Sequence, residues 1–298
     1  MQPTADEAAR IERALKKVRA VPVDHGPITT GSHTPARRWL VTLDDGSRAF
    51  VKVATDELTA SWLRDEHLLY SLLRGSAFMP SYLGWYDDKR YPVLAIEDLS
   101  GAEWPPPWTR DRVGMVLRCL REVAATPPPE GLPQAADDHL GVRKGWSEVR
   151  ADPASFLALG LCSDRWLGRA LPVLQEAADE APLEGEALLH FDVRSDNLCF
   201  RDGRAVLVDW NWASVGNPEI DVAFWLPSLH AEGGPPPEEV LPPSPGSASL
   251  AAACAGFFCA HAGRPPIPTA PHVRPLQLKQ ARTALPWAAR ALDLPAPA

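Results

Sequence analysis

The sequence predicts an α+β chain in two parts: a small antiparallel sheet with a helix, then a larger and mainly helical region. Three observations carry this. Short strand patterns flank one strong helix before residue 100, the composition turns helical after Ser100, and a single β stretch, Ala187–Trp210, interrupts the later helices. The boundary is placed accordingly, with residues 1–99 as the first lobe and 100–298 as the second.

Residues 5–20 read as a helix with Ile11, Leu15 and Val18 on one stripe. Trp39–Leu43 alternates apolar with polar, Asp45-Gly46 is a turn signal, and Arg48–Ala54 is the returning strand. A helix from Glu57 to Arg74 stops at Gly75, which serves as its C-cap. Tyr82–Tyr86 and Pro92–Ile96 are two further strands, separated by Asp87-Asp88-Lys89. Beyond the rigid link Trp104-Pro105-Pro106-Pro107-Trp108, helices are expected near 109–125, 153–160, 164–180, 219–230, 247–262 and 275–291. Proline-rich loops at 126–133 and 235–245 connect them, the second without an element of its own.

Composition narrows the class. Apolar residues make 45% and charged residues 23% of 298, ordinary for a globular protein, and the 32 prolines cluster in loops. A net charge of −8 leaves no general electrostatic footprint for nucleic acid. The five cysteines are odd in number and scattered, which argues for a reducing compartment over a disulfide framework. Cys254, Cys259 and His261 lie in an alanine-rich run with no second ligand pair, so buried small side chains are favoured over a zinc site. The longest apolar run, Leu250–Ala260, is too short for a membrane span. Asp6, Glu7 and Glu12 do not suit a transit peptide, and a cytoplasmic protein is expected, without nucleic-acid or membrane partners.

The chemistry concentrates in LLHFDVRSDNLCFRDGRAVLVDWNWASVGNPEID, residues 188–221. Asn197 opens a short strand, Asp202-Gly203 marks a turn, and a second strand ends at Asp209. If the loop holds residues 202–204, Asn197 lies opposite Asp209 on one face. An amide oxygen and a carboxylate so placed suit one hard cation such as Mg2+. Asp192 on the preceding loop would face the same spot and orient a hydroxyl, the equipment of phosphoryl transfer.

This string resembles the aminoglycoside phosphotransferase and choline kinase family, the small-molecule branch of the protein-kinase-like fold. His190–Asn197 looks like the H-x-D-x-x-x-x-N catalytic loop, Leu207-Val208-Asp209-Trp210 like the metal-binding aspartate strand, and Gly216–Asp221 like the G-x-P-x-x-D element. The resemblance implies a bilobal kinase-like fold, ATP and Mg2+ as cofactors, Asp192 as catalytic aspartate, and Asn197 and Asp209 as metal ligands. Asp221 would anchor the catalytic loop. Lys52, in the strand Phe50–Val53, would take the α/β phosphates, with Glu66 in mid-helix holding it. Ile96, Glu97 and Leu99 would form the hinge whose backbone meets adenine, and Gly31 with Ser32 the phosphate loop. The phosphate loop departs from G-x-G-x-x-G in having one glycine, and position 194 is Arg where many members have His. Arg194 would reach the transferred phosphoryl group, the other reading being a surface pair with Asp196.

Three functions are weighed: a kinase acting on a small-molecule hydroxyl, a kinase acting on Ser or Thr of a peptide or protein, and a nucleotide-binding protein without catalysis. Only eleven residues separate Asp209 from Asp221, too few for a protein-kinase activation segment, and Lys52, Asp192, Asn197 and Asp209 are all present. The first function is therefore preferred, with a monomer or weak homodimer expected. Residues 126–185 carry ten acids against five basic residues, while the chain from Glu219 onward is nearly balanced, so the acceptor class stays open. The 232–247 loop is expected to wall the acceptor pocket, with Glu232, Glu238 or Glu239 as polar contacts. Trp146, Trp166, Trp212 and Trp225 are read either as stacking platforms or as core.

Overall fold

A computed structural model describes residues 2–16, 21–27, 35–268 and 270–297. The chain divides into two compact units, Met1–Trp104 with Asp196–Trp212, and Pro105–Ser195 with Ala213–Ala298.

The first unit begins with helix α1 (Ala5–Leu15). Thr4 caps it reciprocally with Glu7, each side chain accepting the other's backbone N–H. The predicted continuation through Val18 lies outside the described residues. Five strands follow around helix α2 (Glu57–Leu72): β1 (Pro22–Pro27), β2 (Arg37–Leu43), β3 (Arg48–Val53), β4 (Tyr82–Tyr86) and β5 (Val93–Glu97). They form one antiparallel sheet in the order β1-β2-β3-β5-β4. Alternation splits its faces. Trp39, Val41, Leu43, Ala49, Val51, Val53, Val93 and Ala95 share a core with Ile11 and Leu15 of α1. Arg38, Lys52 and Leu94, in register across β2, β3 and β5, fall on the opposite face. Strand β4 admits α1 because residue 84 is glycine: a Cβ there would stand 1.9 Å from the Ala14 carbonyl oxygen.

The second unit opens with α3 (Arg110–Ala125), α4 (Gly145–Ala151), α5 (Pro153–Leu157), α6 (Asp164–Asp179) and the short strand β6 (Ala187–Leu189). The chain then contributes the hairpin β7 (Leu198–Arg201) and β8 (Arg204–Leu207) to the first unit. It resumes in the second with β9 (Ser214–Gly216), paired to β6, and α7 (Glu219–Ala231), α8 (Pro237–Val240), α9 (Pro245–Gly263) and α10 (Val273–Ala291). The predicted 235–245 loop thus contains α8, started by Pro237 at a helix N-terminus where its missing N–H costs nothing. Helix α9 is apolar all round and packs against α4, α6 and α10. Cys254 and Cys259 are fully buried within it, and burial pushes both thiols well above the usual range. Trp146, Trp166 and Trp225 are core residues, whereas Trp212 is half-buried beside Trp62. Among the described residues, no helix is long and apolar enough to cross a membrane.

Candidate active site

In the first unit, strand β3 carries Lys52 on the face away from α1, and α2 brings Glu66 to it. The Lys52 ammonium donates to both Glu66 oxygens, at 2.7 and 2.9 Å, and also to the Asp209 carboxylate. Lys52 is 5% exposed and Glu66 2%, so this is a buried ion pair, with Asp209 as its more open member. Burial opposes charge on Lys52, but the carboxylates of Asp209 and Glu66 outweigh it and hold the ammonium protonated above the ordinary lysine value. Burial raises Glu66 to about 7, with Lys52 pulling down and Asp209 pushing up. Arg38, directly opposite Lys52 in β2, adds a second cation that acts on both Glu66 and Asp209.

Asp209 arrives differently from the sequence expectation. Asp202 and Gly203 both take positive φ, +50° and +71°, as a two-residue type I′ turn requires. The hairpin therefore closes with two loop residues instead of three, and Leu198 pairs with Leu207. Asn197 then stands opposite Val208, whose N–H donates to its carbonyl at 2.9 Å. Asp209 follows the strand with φ +67°, a left-handed residue, and its carboxylate meets Lys52. Asn197 is 2% exposed.

The backbone of Ile96, Glu97 and Leu99 is braced. Ile96 lies in β5, between Phe50 of β3 and Tyr82 of β4. The Glu97 N–H donates to Ser81 O at 2.9 Å, while its carboxylate accepts the Ser81 N–H and pairs with Arg201. Asp98 pairs with Arg48 at 2.7 Å and accepts the Ser100 N–H. The Leu99 carbonyl accepts from Ala102 N and from Trp104 Nε1. Gly31 and Ser32 lie outside the described residues.

In the second unit, the loop after β6 hangs on Asp221. Asn217 prepares the site: its side-chain oxygen caps the Glu219 N–H and its amide donates to Pro182 O. In the first turn of α7, Asp221 is 3% exposed and accepts the backbone N–H groups of His190 and Phe191 at 2.8 and 2.7 Å. Burial raises its pKa to about 6, the two N–H donors opposing and Asp192 adding to the rise. Held at φ +67°, Phe191 turns the chain into Asp192, whose carboxylate lies 3.5 Å from the Arg194 guanidinium. The structure thus pairs Arg194 with Asp192. Ser195 donates its hydroxyl to Glu232 at the end of α7. Sequence reasoning did not single out Arg38 or the Ser195–Glu232 contact. Arg38 was within reach, because the Asp45-Gly46 turn sets the register that places it opposite Lys52.

Lys52, Glu66 and Asp209 thus form one charged cluster, and Asp192 and Arg194 share one loop, anchored by Asp221 of α7. The sequence model of the phosphotransferase enzyme family matches residues 30–242, well over half of the chain. No curated protein matches at the level of sequence. Among solved structures, a choline/ethanolamine kinase family protein from Mesorhizobium loti is similar at 13% identity and TM-score 0.58, covering 91% of this chain and 92% of its own. An aminoglycoside phosphotransferase from Alicyclobacillus acidocaldarius is similar at 14% identity and TM-score 0.56, covering 91% and 90%. An amicoumacin kinase in complex with AMP-PNP and Ca2+ is similar at 10% identity and TM-score 0.54, covering 87% of each chain. The fold is the protein-kinase-like fold of these enzymes.

Proposed function

Because the chain belongs to the phosphotransferase enzyme family, we propose that it moves the γ-phosphoryl group of ATP to a hydroxyl of a small molecule, with Mg2+ as the metal ion. The observation that carries the reading is the buried ammonium of Lys52 shared between Glu66 and Asp209. A buried cation between two carboxylates is expensive to maintain for stability alone, since apolar residues of similar volume are often as stable. Its use is to present fixed positive charge to phosphate oxygens. Lys52 takes the α/β phosphates and Glu66 fixes its ammonium. Adenine meets the 96–99 backbone through groups other than the Glu97 N–H and the Leu99 carbonyl, which are already engaged.

The donor set fits a hard divalent cation. Asp209 would offer a partly exposed carboxylate and Asn197 an amide oxygen, the hard oxygen donors that such an ion takes. Held there, such an ion would supply positive charge that offsets the charge developing on the transferred phosphoryl group. Asp192 accepts the proton of the attacking hydroxyl. Arg194, 3.5 Å from Asp192, offsets charge on the transferred group.

A small acceptor is favoured over a protein. The segment between Asp209 and Asp221 is taken up by β9, paired with β6, and by the start of α7. Around the acceptor, Glu238 is committed to Arg290 and Glu232 to Ser195, which leaves Glu239 as the exposed acid of that stretch. The test is ATP consumption with Mg2+ against amino-alcohols, sugars, nucleosides and hydroxylated antibiotics. One acceptor class should raise ADP production well above the ATP-only rate. ATP binding without ADP production for any acceptor would instead leave a nucleotide-binding protein without catalysis.

A further inference from the structure

Helix α7 touches the catalytic loop at both of its ends. Asp221, in its first turn, takes the N–H groups of His190 and Phe191. Glu232, the C-cap residue, stands eleven residues later, about 16 Å along the helix at 1.5 Å per residue. One Glu232 oxygen accepts the Ser195 hydroxyl and also the Trp108 indole N–H at 3.1 Å. The other faces the Lys279 ammonium of α10 at 3.5 Å. Its side chain is 14% exposed, and each oxygen has a donor. The Trp108 ring is itself set edge-on to the buried Trp225 of α7, with ring centroids 5.5 Å apart.

Resting on the phosphotransferase reading, we infer that Glu232 is a positioning residue: through Ser195 it fixes the far side of the loop whose near side Asp221 holds, and so sets the orientation of Asp192 and Arg194 between them. Six residues, 190–195, are then pinned at both ends by carboxylates of a single helix. Hydrogen bonds to an ionised acceptor are the stronger kind, and Trp108 and Lys279 keep this acceptor in place. The Ser195 hydroxyl touches neither phosphate nor acceptor in this account. Its effect on the reaction passes through the loop.

Ser195→Ala, Glu232→Ala and the double variant separate this role from general stability. The first readout is ATP turnover with Mg2+. Each single variant should lower kcat by about 10- to 100-fold, the scale of one hydrogen bond to a charged group, while KM for ATP changes by less than about 2-fold. The double variant should lose no more than the worse single one, because both act through the same bond. Ser195→Thr, which keeps the hydroxyl, should recover most of the rate. The second readout, amide hydrogen exchange, does not need activity. Amides of 190–195 should exchange at least about 10-fold faster in either single variant, with those of α2 unchanged. Loop exchange and kcat at parent values would overturn the inference, as would losses that multiply in the double variant. A parent enzyme without ATP turnover would count against the proposed function, and loop exchange would still decide whether Glu232 fixes the loop.

Discussion

Replacing Lys52 by methionine removes the ammonium and keeps the length of the side chain. The structure sets the consequence. Glu66 is 2% exposed and already raised to about 7 by burial with Lys52 beside it. Without Lys52, the Glu66 and Asp209 carboxylates repel each other, and Arg38 remains as a cation acting on Glu66. Removing one partner of a buried pair costs about 3–5 kcal/mol. At roughly 2–4 °C per kcal/mol for a chain of this order, melting should fall by about 6–20 °C at pH 8.5. The loss depends on pH. A carboxyl whose folded pKa lies above its unfolded value loses stability as pH rises from the unfolded value, 4.5, through the folded one, and is constant above it. In the parent that window closes near 7. In Lys52→Met the folded value is higher, so the gap between parent and variant keeps widening above 7, by at most about 1.4 kcal/mol per pH unit. At pH 5.5 Glu66 is mostly protonated in both proteins, and the gap is smaller than at pH 8.5 by up to about 2 kcal/mol. Thermal unfolding followed by tryptophan fluorescence at pH 5.5, 7 and 8.5 reads this directly. A gap under about 1 kcal/mol at pH 8.5, or one that does not change with pH, would refute the argument from burial.

Metal and base roles should separate in calorimetry and kinetics: Asp209→Asn abolishes Mg2+-dependent nucleotide binding, whereas Asp192→Asn keeps it and loses about 10²–10⁴ in turnover. Equal loss of ATP affinity in both would contradict the division. Arg194→Ala should lower kcat with little change in nucleotide affinity, and an unchanged kcat would return Arg194 to a purely structural partner of Asp192. Asp221→Ala orphans the His190 and Phe191 N–H groups, at about 1–3 kcal/mol each, and should lower the melting temperature and turnover together. Because burial raises Asp221 to about 6 from 3.8, it makes the parent lose stability as pH rises through that window. In Asp221→Asn that slope should vanish from urea titrations between pH 4 and 6.

Much of this was legible in order along the chain. The Asp45-Gly46 hairpin and the α2 helix stopping near Gly75 follow from period and turn chemistry, while Lys52 and Glu66, which the structure pairs, were singled out through the family resemblance. Strand β1 was not legible, because Pro22, Gly26 and Pro27 erase any alternation; it survives as the edge of the sheet, paired with β2 on one side. Helix α4 was missed because it is seven residues long and begins at a glycine. That glycine is a packing requirement, since a Cβ at Gly145 would lie 2.1 Å from the backbone of Gly256 in α9. The register of β7 and β8 turned on one loop residue. Asp-Gly favours the two-residue turn, which moves Asn197 from Asp209 to Val208. Glu232 was named for the acceptor, yet it meets Ser195, 37 residues earlier, a contact that no local pattern encodes.

The most direct test of the central claim follows the phosphoryl group itself. The purified protein is given γ-labelled ATP, Mg2+ and a panel of hydroxyl-bearing small molecules, and the products are separated by mass. The account predicts label on an organic acceptor, as one added phosphoryl group per hydroxyl, and its loss in Asp192→Asn. Label that appears only as inorganic phosphate with every acceptor, or transfer that persists at the parent rate in Asp192→Asn, would contradict it.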